Sequence, residues 1–156
     1  MITRILYTEI WSDEFFMDLS PEEKLLFIYF LTNERVNIIH LYQCPPQRIK
    51  SDTGIDTPII ALSKKKFEKA EKIYFKDSYV FLKNAHRFEK YEGEKNEIAK
   101  QKLFDRLSKN IKDWYNNISD TPIHTPIHTP YNTETIRHKY KGRDLNENVD
   151  PNSIPI

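Results

Sequence analysis

The chain holds 156 residues, of which 38% are hydrophobic, 13% aromatic and 30% charged, enough for one domain with a core and a tail. Its longest apolar run, Leu25 to Leu31, is far short of a membrane span, and no basic segment followed by an apolar block marks a secretory signal. The net charge of +1 hides a polarity: residues 1–44 carry three Lys/Arg against seven Asp/Glu, residues 45–90 carry eleven against six, and the remainder is close to neutral, so the middle of the chain is where a polyanion would bind.

In chain order, Trp11-Ser12-Asp13-Glu14-Phe15-Phe16 reads as a short helix start, with Ser12 as the cap and Trp11 stapled onto Phe16. Ser20-Pro21-Glu22-Glu23 is a clearer start: Ser at the N-cap, Pro at the first helical position, Glu at the third. Leu25, Leu26, Ile28, Tyr29 and Phe30 follow. They make this helix apolar around much of its circumference and central to the core, with an expected end near Thr32-Asn33. Asn37 to Tyr42 has strand character, which Cys44-Pro45-Pro46 ends. Pro46 then opens a helix to Thr53, and Gly54 is placed to close it in a left-handed cap. Thr57-Pro58 repeats the cap logic, with Thr57 as N-cap of a helix to Glu71. Ile60, Ser63, Phe67 and Ala70 form its inner stripe, supported by Ile59 and Leu62.

Ile73-Tyr74-Phe75 and Tyr79-Val80-Phe81-Leu82 read as two strands joined by a turn at Lys76-Asp77-Ser78. The order helix, strand, helix, tight turn, helix, hairpin is that of a winged helix-turn-helix, a mainly α, α+β fold with the hairpin as the wing. A last helix is expected over 96–118. Its residues Phe104, Leu107, Ile111, Trp114 and Ile118 are spaced 3, 4, 3, 4, as in a heptad seam. Two uses stay open for that seam: packing back onto the domain, or forming a homodimer. The domain therefore spans 1–118. From Ser119 the repeated Thr-Pro-Ile-His units forbid regular helix, so 119–156 reads as a disordered Thr/Pro-rich tail.

Enzymatic readings find no support. With glycine only at 54, 93 and 142, no glycine-rich phosphate loop can be built, and neither HExxH nor Gly-x-Ser-x-Gly occurs. Cys44 is the single cysteine, which excludes an intramolecular disulfide or a cysteine metal cage and fits a reducing compartment such as the cytoplasm. Before two prolines it reads as structural. His124 and His128 are spaced as zinc ligands on a helix are, but Pro126 lies between them, so no metal site or cofactor is expected.

The basic residues carry the strongest signal. Arg48, Lys50 and Ser51 fall on the first helix of the helix-turn-helix, Thr57, Lys64, Lys65 and Lys69 on the second, and Lys76 and Ser78 at the hairpin. Lysines hold phosphates with little regard to sequence. The start of the second helix offers Thr57, Pro58 and Ala61, which read bases poorly, leaving Lys64 as the best base reader.

The runs LSPEEKLLFIYFLTNERVNIIHLYQCPPQRIKSDTGI, KIYFKDSYVFLKN and YEGEKNEIAKQKL resemble the N-terminal domain of phage replisome organisers, the replication-initiation proteins of phages and prophages of low-GC Gram-positive bacteria. The resemblance covers residues 1–118 and continues into the Thr-Pro-Ile segment. It implies a winged helix that binds repeats at a phage replication origin in the host cytoplasm. It also implies recruitment of a helicase loader or helicase through a separate C-terminal domain. By place in the motif, DNA contact carries over to Arg48, Lys50, Thr57, Lys64 and Lys65. The sequence stops at Ile156, without room for that second domain. It thus reads as a fragment or truncated form, or as a protein whose task needs no recruitment. The expectation is a DNA-binding protein, not an enzyme, with duplex DNA as partner. The alternative is a stand-alone winged-helix interaction module, such as a phage regulator or inhibitor that binds a host protein.

Overall fold

A capping box opens the central helix, as its sequence predicts. Ser20 Oγ accepts from Glu23 N at 3.2 Å, and Glu23 Oε2 accepts from Ser20 N at 2.8 Å. Pro21 stands first in the helix, where a missing N–H costs nothing. The protein, here a computed structural model, is described for residues 3–89, 91–120 and 123. Its helices are α1 Glu14–Met17, α2 Pro21–Thr32, α3 Pro46–Thr53, α4 Thr57–Lys69, α5 Glu94–Asp105 and α6 Lys109–Ile118. Its strands are β1 Leu41–Gln43, β2 Ile73–Lys76 and β3 Tyr79–Leu82. The expected tail and the His124/His128 pair lie outside the described residues apart from 119, 120 and 123. Among the described residues, no helix is long and apolar enough to cross a membrane.

The capping box gives a direct test of how far local sequence stabilises this fold. Ser20→Ala removes the acceptor for Glu23 N and is expected to lower stability by about 1 kcal/mol in urea unfolding. An unchanged midpoint would show that the Ser20 hydroxyl contributes nothing as a cap.

Three strands form an antiparallel sheet in the order β1-β3-β2. Leu41 stands opposite Phe81 and Tyr42 opposite Val80, while Ile73 pairs with Leu82 and Lys76 with Tyr79. The hairpin turn is the dipeptide Asp77-Ser78, where Asp77 has φ 55°, a left-handed value that aspartate tolerates better than most residues. Alternation along β3 sends its side chains to two cores. Val80 and Leu82 join Leu26, Phe27, Phe30, Ile49, Ile60 and Phe67 on the helical side. Phe81 faces the other way, with Leu41, Phe104, Ile111 and Tyr115. On the helical side the aromatic rings meet edge to face: Phe27 with Phe67 at 5.4 Å and Phe30 with Phe75 at 5.2 Å between centroids.

Several boundaries differ from the sequence expectation, each for a local reason. The first helix is capped by Asp13 rather than Ser12: Asp13 Oδ1 accepts from Phe16 N at 3.0 Å, and its other oxygen receives Lys72 Nζ at 3.2 Å. Trp11 does pack edge-on to Phe16, with centroids 5.3 Å apart. Helix α4 begins at Thr57 itself, because Asp56 takes the cap position. It stops at Lys69, before Glu71, whose φ of 55° cannot continue a helix.

The strand expected over Asn37 to Tyr42 is confined to Leu41–Gln43. Asn37 folds its side chain onto the local backbone, accepting from Ile39 N at 3.1 Å and donating to Leu41 O at 2.7 Å. That competes with the ladder. His40 completes the turn at φ 53°. Its ring is buried, with only 5% of the side chain exposed, and Nδ1 has no hydrogen-bond partner; Glu89 Oε2 lies 3.8 Å away. Burial, aided by Arg4, His86 and Lys100, pushes the imidazole pKa down from 6.5 to about 4.

The single helix expected over 96–118 is two helices, α5 and α6, broken at Arg106–Ser108. Ser108 is extended, φ −64° and ψ 156°, at the cap of α6. The break brings Phe104 of α5 and Ile111 and Tyr115 of α6 into one cluster with Leu41 and Phe81 of the sheet. Phe104 and Ile111 are fully buried there, and Leu107, Trp114 and Ile118 pack partly buried around them. The five residues of the expected seam thus serve the chain's own core.

Candidate nucleic-acid interface

Helices α3 and α4 are joined by Gly54–Asp56. Gly54 sits at φ 71° and donates its N–H to Lys50 O at 2.9 Å, the left-handed closure that glycine makes without a Cβ penalty. Buried Ile55 then pins the turn to the core. The chain re-enters helix at once, so α4 packs its Ile60–Ser63–Phe67 stripe inward and turns the opposite face to solvent.

That outer face consists of Pro58, Ala61, Leu62, Lys65 and Lys69, all exposed. Lys65 and Lys69 are one helical turn apart and have no ion-pair partner among the described residues. Their ammonium groups are available to an anion. Leu62 and Ile59, expected to support the inner stripe, are instead 67% and 39% exposed. They stand on the outer side and on the flank toward α2.

The other predicted cations are placed differently. Arg48 Nε donates to Asp52 Oδ2 at 2.7 Å and its Nη2 to Glu34 Oε1 at 3.1 Å. Asp52 also accepts from Tyr29 OH at 2.8 Å. The bonds from Arg48 and Tyr29 hold the Asp52 carboxyl below its ordinary value. Two carboxylates therefore already oppose the Arg48 charge. Lys50 Nζ lies 3.1 Å from Asp56 Oδ1. Lys64, the expected base reader, turns sideways: its ammonium sits 4.8 Å over the Phe75 ring, and burial lowers its pKa. It fastens α4 to the hairpin, and so does Glu68, whose Oε1 accepts from Phe75 N at 3.0 Å. Ser51 and Thr57 are exposed on α3 and at the start of α4. Ser78 is half-buried, and its carbonyl accepts from Cys44 N at 2.7 Å.

At the hairpin, Lys76 Nζ donates to Asn110 Oδ1 at 2.9 Å. A neutral acceptor orients the lysine without cancelling its charge. Asn110 lies in the first turn of α6 next to exposed Lys109, so the start of α6, with its own lysine, is held at the hairpin. Sequence reasoning missed Lys109, because only the tertiary fold brings α6 to the hairpin. Lys66, also in the basic run, is tied by Glu23 Oε2 at 2.8 Å. Burial raises the Glu23 carboxyl, but the bonds from Lys66 and Ser20 N outweigh it and hold it below its ordinary value.

The remaining polar chemistry is muted. Cys44 is buried with Tyr29 OH 3.5 Å from Sγ, and burial pushes its thiol up, away from the thiolate form that reacts. Among the described residues no group of three or more His, Cys, Asp or Glu is placed to hold a metal ion. Comparison with family models, with curated proteins and with solved structures finds no match.

Proposed function

We propose that the chain binds duplex DNA as a winged helix, with α4 as the helix presented to the major groove and the β2–β3 hairpin as the wing. The observation that carries this reading is the pair Lys65 and Lys69. They are exposed and unpaired on the outer face of α4, with the charged hairpin lysine Lys76 docked against the same framework. The antiparallel order β1-β3-β2 and the tight α3–α4 turn support this reading. The outer face offers ammonium groups and apolar surface, with no Arg, Asn or Gln to pair with base edges. Backbone contact and salt dependence should therefore dominate affinity. The resemblance to phage replisome organisers supports a role at a replication origin in the host cytoplasm.

Fluorescence anisotropy on a labelled duplex across a salt series tests the reading. Three phosphate contacts, from Lys65, Lys69 and Lys76, predict a log–log slope of about −2.7. The corresponding affinity loss is roughly 40-fold between about 50 and about 200 mM salt. A flat salt response, or no binding at low salt, would count against the proposal.

One observation favours the second reading, a protein-interaction module. Leu62 and Ile59 expose apolar surface where a base-reading helix would carry polar groups. Under that reading the unaltered chain shows no affinity for duplex DNA at physiological salt, and Leu62→Glu disrupts capture of a protein partner.

A further inference from the structure

A cavity of about 390 Å³ opens between the N-terminal segment 5–10 and the segment 84–89 that follows β3. Its floor is core: Phe27, Leu31, Val36 and Leu82. The two walls are fastened in place. Arg4 donates through Nη1 to Glu89 Oε2 at 2.6 Å and to Tyr91 OH at 2.9 Å, and through Nη2 to Val36 O. At the rim the Tyr7 and Phe88 rings stand 5.6 Å apart, with Tyr7 OH donating to Phe88 O at 3.3 Å. The site is thus formed before anything enters it. None of its lining residues lies on α3, on α4 or in the hairpin turn, so it is separate from the DNA face proposed above.

The size lies within the range of ligand pockets, but the surroundings fit a larger occupant. Ile5 is 67% and Phe88 59% exposed at the mouth, and Leu6 and Tyr7 are exposed beside them. A small molecule held within the cavity would leave that rim wet. A polypeptide would cover it while one side chain fills the cavity, which is the arrangement of an anchor residue in a desolvated pocket. The charge nearby selects among polypeptides. Glu9 at the wall and Glu14 just beyond it are exposed, with no ion-pair partner among the described residues. Asp13 and Glu89 are neutralised within the chain by Lys72 and Arg4, and Arg87, the cation on the opposite wall, faces Asp120 Oδ2 at 3.9 Å, which leaves Glu9 and Glu14 as the unopposed charges.

We infer that this cavity is a protein-docking site that takes a large apolar side chain of a partner segment carrying Lys or Arg next to it. The inference does not depend on DNA binding. Its probe is a pair of fluorescein-labelled amphipathic peptides with one Leu/Phe pattern, flanked in one by Lys and in the other by Glu. Each is titrated against the full 156-residue chain by anisotropy. The Lys peptide is expected to bind at least about tenfold more tightly than the Glu peptide, with amide shifts confined to 5–10 and 84–89. Phe88→Glu should weaken it at least about tenfold, and Glu9→Lys severalfold at low salt. Both positions are exposed, so an unchanged melting temperature verifies the fold of each variant. Equal binding of the two peptides, no binding of either, or weakening by Leu62→Glu in place of Phe88→Glu would overturn the inference.

Discussion

Replacing Lys65 and Lys69 together by glutamate is expected to abolish binding to duplex DNA at physiological salt and to reduce the salt slope of any residual binding by about 2. Each substitution removes a phosphate contact and installs a charge that the phosphate repels. Neither side chain is used by the fold: both are exposed, on the face of α4 opposite Ile60, Ser63 and Phe67, and neither has an ion-pair partner among the described residues. Thermal stability should therefore stay near that of the unaltered chain. Arg48→Ala makes the informative contrast. Its guanidinium is already shared between Asp52 and Glu34, so its loss should change affinity far less than the loss of Lys65. Equal losses at the two positions, measured by anisotropy on one duplex, would mean that the ion pairs around Arg48 open on binding and that α3 contributes directly.

Stability should fall as pH drops from about 6.5 to about 4, by about 3 kcal/mol. The cause is His40. Its folded pKa is lowered from 6.5 to about 4, because burial disfavours the charged imidazole and Arg4, His86 and Lys100 oppose it. The unfolded chain therefore binds a proton in that window that the folded chain refuses. The stabilisation is complete above the unfolded pKa and is lost as pH falls through the folded one. Asp13 and Glu23, whose pKa values are lowered, add acid sensitivity that begins as pH falls into the ordinary carboxylate range, so the interval from pH 7 to 5.5 reads His40 with the least contribution from them. Urea unfolding at pH 7, 5.5 and 4 reads the effect. His40→Asn keeps a residue that tolerates the left-handed backbone and should flatten the dependence between those values, whatever it does to absolute stability. A slope that persists in His40→Asn would place the proton elsewhere.

Much of the framework could be read before the fold was known. Ser20-Pro21-Glu22-Glu23 carries its whole capping geometry in four residues, and Gly54 announces its own left-handed cap. The hairpin followed from β-branched and aromatic runs around Asp77-Ser78. Where the sequence misled about boundaries, local side-chain bonds and backbone angles decided. The 3, 4, 3, 4 spacing of Phe104 to Ile118 is consistent with one helix, but extended Ser108 divides it into two short ones. Asn37 reads as a strand residue until its side chain is seen closing a turn over His40.

The charges were hardest to read. Arg48 and Lys64 looked as available as Lys65, since composition cannot show that Glu34 reaches Arg48 or that Phe75 lies under Lys64. Nor could spacing show that Asn110 would hold Lys76. Helical periodicity does separate Lys65 and Lys69 from Lys66, but only once the inner stripe is fixed at Ile60, Ser63 and Phe67. The exposure of Leu62 is a consequence of the same phase.

The central claim is that DNA meets the outer face of α4 together with the hairpin. Titrating the isotope-labelled chain with a short duplex and following its amide resonances tests it most directly. The account predicts shifts concentrated at Thr57, Ala61, Lys65, Lys69, Lys76 and Ser78, extending to Lys109 and Asn110 and sparing 5–10 and 84–89. Shifts confined to those two segments, or an unchanged spectrum at low salt, would contradict it.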